Sequence, residues 1–132
     1  MSQDNLELSR RMIDWFNALD TESAQAHSTD DVEIVPLRAV MEATAYRGPG
    51  AFAAFRADTE EAWEEIGFDA EDLREVDDRV LAIGQLSARS RVTGADVNAR
   101  IAMLLEFRGD QVSRLRAYAD PEQALKDAGL SA

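Results

Sequence analysis

Few side chains in this sequence can move a proton at neutral pH or bind a metal. His27 is the single histidine, and cysteine is absent. Thiol nucleophiles, thiolate zinc sites and disulfides are therefore excluded. One imidazole cannot build a His-rich metal site, and carboxylates alone make a weak site for hard cations. No metal and no cofactor is expected. His27 reads either as a general base near neutral pH or as a helix-end residue bonding backbone groups. Tyr46, with Arg38 and Glu42 in the same irregular stretch, reads either as a group orienting a ligand at a pocket mouth or as solvated rim. Asp14 and Asp120 are the remaining acids near these elements, and Asp120 fits a helix cap. No two carboxylates stand at a spacing that makes an acid/base couple. No Gly-rich phosphate loop or Ser-His-Asp pattern occurs. The catalytic candidates are His27, Tyr46 and Asp14.

The elements that must position these groups follow from periodicity. Ser2 or Asp4 can cap a first helix, with Glu7 three residues after Asp4 completing a capping-box pattern, and Leu6, Met12, Ile13, Trp15, Phe16 and Leu19 recur at helical spacing. Asp20-Thr21-Glu22 starts a short second helix that fades near His27-Ser28. Val32–Val35 is β-branched and alternating, a strand stopped by Pro36. Residues 37–46 fit a short strand or an irregular rim. Gly48-Pro49-Gly50 breaks the chain, and a third helix follows through Phe52, Phe55, Thr59, Ala62, Trp63 and Ile66, ended by Gly67. The period then changes from helical to alternating. Strands are expected at Phe68–Val76, Val80–Val92, Val97–Arg108 and Val112–Ala119. A last short helix starts at Asp120-Pro121-Glu122, with Ala124, Leu125 and Ala128 turned inward. Helices segregated from a run of antiparallel strands predict an α+β architecture, not alternating βαβ.

Strand parity sorts the sheet into two faces. In 97–108, Val97, Ala99, Ile101, Met103, Leu105 and Phe107 form a wholly apolar set, which must face the helices. In the last strand, Ser113, Leu115, Ala117 and Ala119 belong inside, and Val112, Arg114, Arg116 and Tyr118 outside. The outer face then carries Arg100, Arg114, Arg116 and Tyr118 among Ala102 and Leu104, an interface-like mixture. That mixture predicts a homodimer through the outer sheet. Arg89 and Arg91 share one face of residues 80–92. They are surface ion-pairing groups if outward and an anion site if inward; parity does not separate these.

The whole chain resembles the nuclear transport factor 2-like (SnoaL-like) superfamily. The resemblance is carried by the helix Arg11–Asp20, by Tyr46-Arg47-Gly48-Pro49-Gly50, by Arg89–Gly94 followed by Phe107–Val112, and by the ending Tyr118–Leu125. It implies a cone in which a curved antiparallel sheet wraps around the N-terminal helices and encloses a pocket. It also implies a broad range of activities, so function must come from the site. In the similar ketosteroid isomerases, a helix tyrosine, a strand aspartate and a protonated sheet aspartate act together. Here those positions fall on Met12, Val35 and Leu105. The aspartate of limonene-epoxide hydrolase falls on Ala117.

Length and charge set the remaining bounds. A chain of 132 residues, 45% hydrophobic, suits one domain with one core. Its net charge of −12, from 26 acidic and 14 basic residues, opposes nucleic acid and anionic membranes as partners. No secretory signal and no bilayer-length apolar run is seen, so a cytoplasmic location is expected. The leading expectation is a domain binding a small hydrophobic metabolite. Its pocket would be lined by Met12, Trp15, Phe16, Val35, Arg38, Phe55, Trp63, Ile101, Met103, Leu105, Leu115 and Ala117. One alternative is a cofactor-independent isomerase, cyclase or hydrolase acting on a polyketide- or terpenoid-like substrate from rim groups. The other is a dimeric partner-binding module.

Overall fold

The computed structural model describes residues 2–37 and 45–129, with side chains from residue 5 onward. Arg38 and Glu42 and the side chains of Ser2 and Asp4 lie outside what is described; α1 already includes Ser2, so Asp4 stands within the helix and not at its cap. The order is α1 (Ser2–Ala18), α2 (Thr21–Ala26), β1 (Ser28–Val35), β2 (Tyr46–Arg47), α3 (Ala51–Ala62), β3 (Trp63–Val76), β4 (Arg79–Ser90), β5 (Asp96–Arg108), β6 (Gln111–Tyr118) and α4 (Pro121–Asp127). The six strands form one sheet in the order β2-β1-β6-β5-β4-β3. All neighbours are antiparallel except β1 and β6, which run parallel. The result is an α+β fold with a curved, unclosed sheet.

Curvature originates in β3. Two of its residues, Glu64 and Glu71, have no Cα partner in the register with β4 and form bulges. Bulges bend and twist the strand that carries them. Opposite the second bulge stands Gly84, paired with Ala70. A Cβ on Gly84 would lie 2.0 Å from the Asp69 carbonyl oxygen. Only glycine allows the two backbones to approach so closely.

The helices α1 to α3 fill the concave side. Leu8 and Met12 of α1 pack with Val32, Ile34, Phe52, Leu105 and Val112, and Ile13 packs with Phe68, Ala82, Leu86 and Ile101. Asn17 joins α1 to the bent strand. Its Nδ2 donates to the Phe68 carbonyl at 2.9 Å, and its Oδ1 accepts from the Phe68 amide at 2.8 Å. One side chain thus satisfies both backbone groups of a strand residue, as a neighbouring strand would.

The junction of α1 and α2 is equally tight. Leu19 adopts φ 57°, its amide donates to Phe16 O at 3.1 Å, and the Asp20 amide donates to Trp15 O at 2.8 Å. This is a Schellman turn with leucine at the left-handed position that glycine usually occupies. Asp20 then caps α2, accepting from the Ser23 amide and hydroxyl.

Four further expectations are corrected. First, α3 ends at Ala62, and Trp63 and Ile66 belong to β3, not to a helix stopped by Gly67. Their spacing fits a helical stripe, but pairing of Trp63 with Ser90 and of Ile66 with Ala88 prevails. Second, Val112 is fully buried among Leu8, Met12 and Leu105 on the concave side. An extra residue at Ser113 shifts the register between Phe107↔Val112 and Glu106↔Arg114, which reverses parity there. Third, β4 stops at Ser90, and residues 91–95 form the turn. Fourth, α4 does not turn inward. Ala124, Leu125 and Ala128 pack on the opposite, convex side against Leu81, Ile83, Ala102, Leu104 and Tyr118.

The rest of the convex face is a lattice of ion pairs. Glu33 accepts from both Arg47 and Arg114, and Arg114 also reaches Glu106. Arg100 pairs with Glu71, and Arg89 pairs with Asp96 at 3.0 Å. Arg91 is exposed and donates to the backbone carbonyls of Glu60 and Trp63. Neither Arg89 nor Arg91 forms an inward anion site.

Gly84→Ala is expected to destabilise the protein by about 3 kcal/mol, because the added methyl must displace backbone. Gly48, at φ 87° with open space around its missing Cβ, should lose only about 1 kcal/mol as alanine. Urea unfolding midpoints of the two variants compare them directly.

Candidate functional site

A cavity of about 100 Å³ lies between the helices and the concave face. Met12, Ile13, Trp15, Phe16 and Leu19 of α1 and its turn form one wall. Phe52, Phe55 and Arg56 of α3 form a second. Ile34 to Leu37, Ile66, Phe68, Leu86, Ile101, Met103, Leu105, Leu115 and Ala117 complete it from the sheet side. Five aromatic rings line it: Trp15, Phe16, Phe52, Phe55 and Phe68. Phe16 and Phe55 meet with centroids 6.0 Å apart, and Tyr46 braces Phe55 edge-on from behind at 5.5 Å.

Among the described residues, charged groups touch this wall only at its margin. The ionisable lining residues are Asp20, Arg56 and Arg116. Asp20 and Arg56 are exposed and mark the side where the cavity meets solvent. The hydrogen bonds from Ser23 hold the Asp20 carboxyl below the usual carboxylate range, with a further contribution from Arg56. The Arg116 guanidinium lies 4.8 Å over the Tyr118 ring. That ring packs beneath α4, so Arg116 presents its backbone, not its charge, to the cavity.

Of the expected pocket residues, Met12, Trp15, Phe16, Val35, Phe55, Ile101, Met103, Leu105, Leu115 and Ala117 lie on the wall. Trp63 does not, because it belongs to β3 at the far end of the strand. Arg38 lies outside the described residues. Met12, Val35, Leu105 and Ala117, the positions on which the resemblance was expected to place catalytic roles, are all on the wall, and none ionises. Sequence reasoning missed Arg56, which stands one turn after Phe52 on the same helix face. It also missed Leu19, Phe68 and Leu86.

The catalytic candidates lie elsewhere. His27 caps the C-terminus of α2, with Nδ1 2.8 Å from the Ser23 carbonyl. A carbonyl only accepts, so Nδ1 carries the proton in this contact. The ring rests on Trp15 at 4.7 Å, and Trp15, not His27, lines the cavity. Tyr46 donates to Asp58 Oδ2 at 2.6 Å and is buried. Burial, reinforced by Asp58, pushes its phenol well above the usual tyrosine range, so it is no base at neutral pH. Asp14 is exposed on α1, outside the lining. Among the described residues no group of His, Cys, Asp and Glu could hold a metal ion, and no helix is long and apolar enough to cross a membrane.

Residues 9–115 match the SnoaL-like domain. The chain belongs to the SnoaL-like family. No curated protein matches this SnoaL-like sequence. Among solved structures, it is similar to a nuclear transport factor 2-like protein of unknown function from Burkholderia pseudomallei K96243, at 15% identity and a TM-score of 0.78, covering 93% of this chain and 95% of that one. It is similar to TerC co-crystallised with polyporic acid, at 16% identity and a TM-score of 0.77, with 96% and 98% covered. A third, from Catenulispora acidiphila DSM 44928, has the ketosteroid isomerase-like fold and is in complex with trimethylamine. It is 16% identical, with a TM-score of 0.68 and 88% and 89% covered. At these identities the likeness is one of fold.

Both tyrosines should resist ionisation in the folded SnoaL-like chain. Burial is the first cause for each, followed by Asp58 for Tyr46 and Asp127 for Tyr118. Their folded values lie above the unfolded value of 10.0. The stability this confers is complete below that pH and is lost as pH rises past it. Phenolate absorbance at pH about 11 should therefore be low in the native protein and high after denaturation, and urea midpoints should fall above pH about 10.

Proposed function

We propose that this SnoaL-like chain is a binding domain for a small hydrophobic molecule, held in the cavity without acid/base catalysis. The observation that carries this reading is the composition of the wall. Among the described residues, every side chain able to act as a general acid or base is either absent from it or committed to a structural bond. Asp20 caps α2, Tyr46 bonds Asp58, and His27 bonds Ser23 and rests on Trp15. A general acid or base must reach the reacting atoms, and none of these does. The similar structures holding polyporic acid and trimethylamine support the view that folds of this kind accommodate small organic molecules.

Size narrows the occupant. An engineered apolar cavity of ~150 Å³ stays dry and binds benzene, so the present cavity suits about one ring or a short branched chain. The test is a thermal-shift titration with toluene or indole. Saturation at about 100 times the dissociation constant should stabilise the protein by about 2.7 kcal/mol. Ala117→Phe, which fills the cavity beside Met103, should remove the shift, and the volume-conserving Leu115→Met should keep it. No shift with any small apolar probe defeats the reading.

We also propose a homodimer through the convex face. Arg and Glu alternate across β2, β1, β6 and β5 there, so a two-fold copy meets opposite charges. The ground is narrower than the sequence implied, because α4 covers the apolar part. Sedimentation at working concentrations should give a dimer that weakens with salt, and a monomer at low salt removes the proposal.

A further inference from the structure

Arg56, at the mouth of the cavity, has unused donors. Its Nε donates to Glu60 Oε1 at 2.8 Å, a pair whose side chains are 44% and 51% exposed. Such surface pairs are weak and easily exchanged. The end of its guanidinium fork, the two Nη groups, makes no hydrogen bond among the described residues. The nearest acid on the wall, Asp20, has both oxygens engaged by Ser23 at 3.2 and 2.7 Å. It stands outside ion-pair distance of Arg56, although its charge is felt there. Phe52 and Arg56 are one turn apart on α3, so ring and guanidinium address the same space.

We propose that the occupant is a small organic acid. Its apolar body, about one ring in size, lies among Trp15, Phe16, Phe52 and Phe55. Its carboxylate sits at the mouth and accepts end-on from both Arg56 Nη groups. This rests on the cavity being a binding site and adds the charge of the ligand. A planar fork matches a carboxylate bidentately, and the Glu60 contact leaves that edge open. Among the described residues, a cationic ligand finds no free carboxylate on the wall. A neutral ligand leaves the fork unused. The overall charge of −12 opposes any anion at long range, but beyond a Debye length of ~8 Å it is largely screened. The local guanidinium then decides.

Calorimetric titration with benzoate, benzyl alcohol and benzylamine, which share a ring and differ in charge, tests this. Benzoate should bind about tenfold more tightly than benzyl alcohol, and benzylamine least. Arg56→Gln should bring benzoate down to the level of benzyl alcohol while leaving benzyl alcohol unchanged, which also shows that the variant is folded. Glu60→Gln should raise benzoate affinity a few-fold. If benzyl alcohol or benzylamine binds as well as benzoate, or if Arg56→Gln leaves benzoate unchanged, the acid assignment is overturned and the cavity reading stands. If none of the three binds, both fall.

Discussion

The architecture depends on one close approach, that of the Gly84 backbone to the Asp69 carbonyl. Where β3 gains Glu71 as an extra residue, β4 offers a position with no side chain, and the two strands bend together. A flat sheet would meet α1 along a line and leave its two ends open. A bent one wraps the helix and encloses space. Asn17 holds α1 in that bend by taking both backbone groups of Phe68. Ile66, Phe68, Leu86 and Ile101 reach the cavity because they stand on the inside of the curve.

A second constraint governs the chemistry. A polar group taken out of water needs a partner, and this chain supplies partners locally. Ser9, Ser28 and Thr59, all buried, each donate to the carbonyl four residues earlier in the chain. Tyr46 and His27 each pack against a ring of the aromatic wall, yet each is turned toward its own partner. Among the described residues, the acids, the tyrosine and the histidine around the cavity are therefore structural. The wall itself offers shape, ring faces and one guanidinium with donors to spare.

Much of this was legible in the sequence, and the misses share a cause. The change of period after the third helix announced the run of strands, and the uninterrupted apolar set from Val97 to Leu105 identified the concave face. Trp63 and Ile66 misled because positions 59, 62, 63 and 66 satisfy a helical stripe, while pairing with β4 is a long-range contact that no local pattern encodes. Val112 misled because alternation fails at a bulge, and Ser113 carries no mark of one. The apolar side of α4 was evident, but amphipathicity does not say which face of a sheet a helix covers. Arg56 was passed over as one charge among many. Its place beside Phe52 gains meaning only once that ring is known to face a cavity.

Leu19 shows a trade made at the rim. A leucine held at φ 57° costs on the order of 1 kcal/mol that glycine would not incur. Glycine would end the helix more comfortably but would leave no side chain at a point where the cavity wall needs one. Backbone comfort has yielded to wall continuity at a single residue. The left-handed turn is thus a load carried by the local chain so that the hydrocarbon lining stays whole where solvent is nearest.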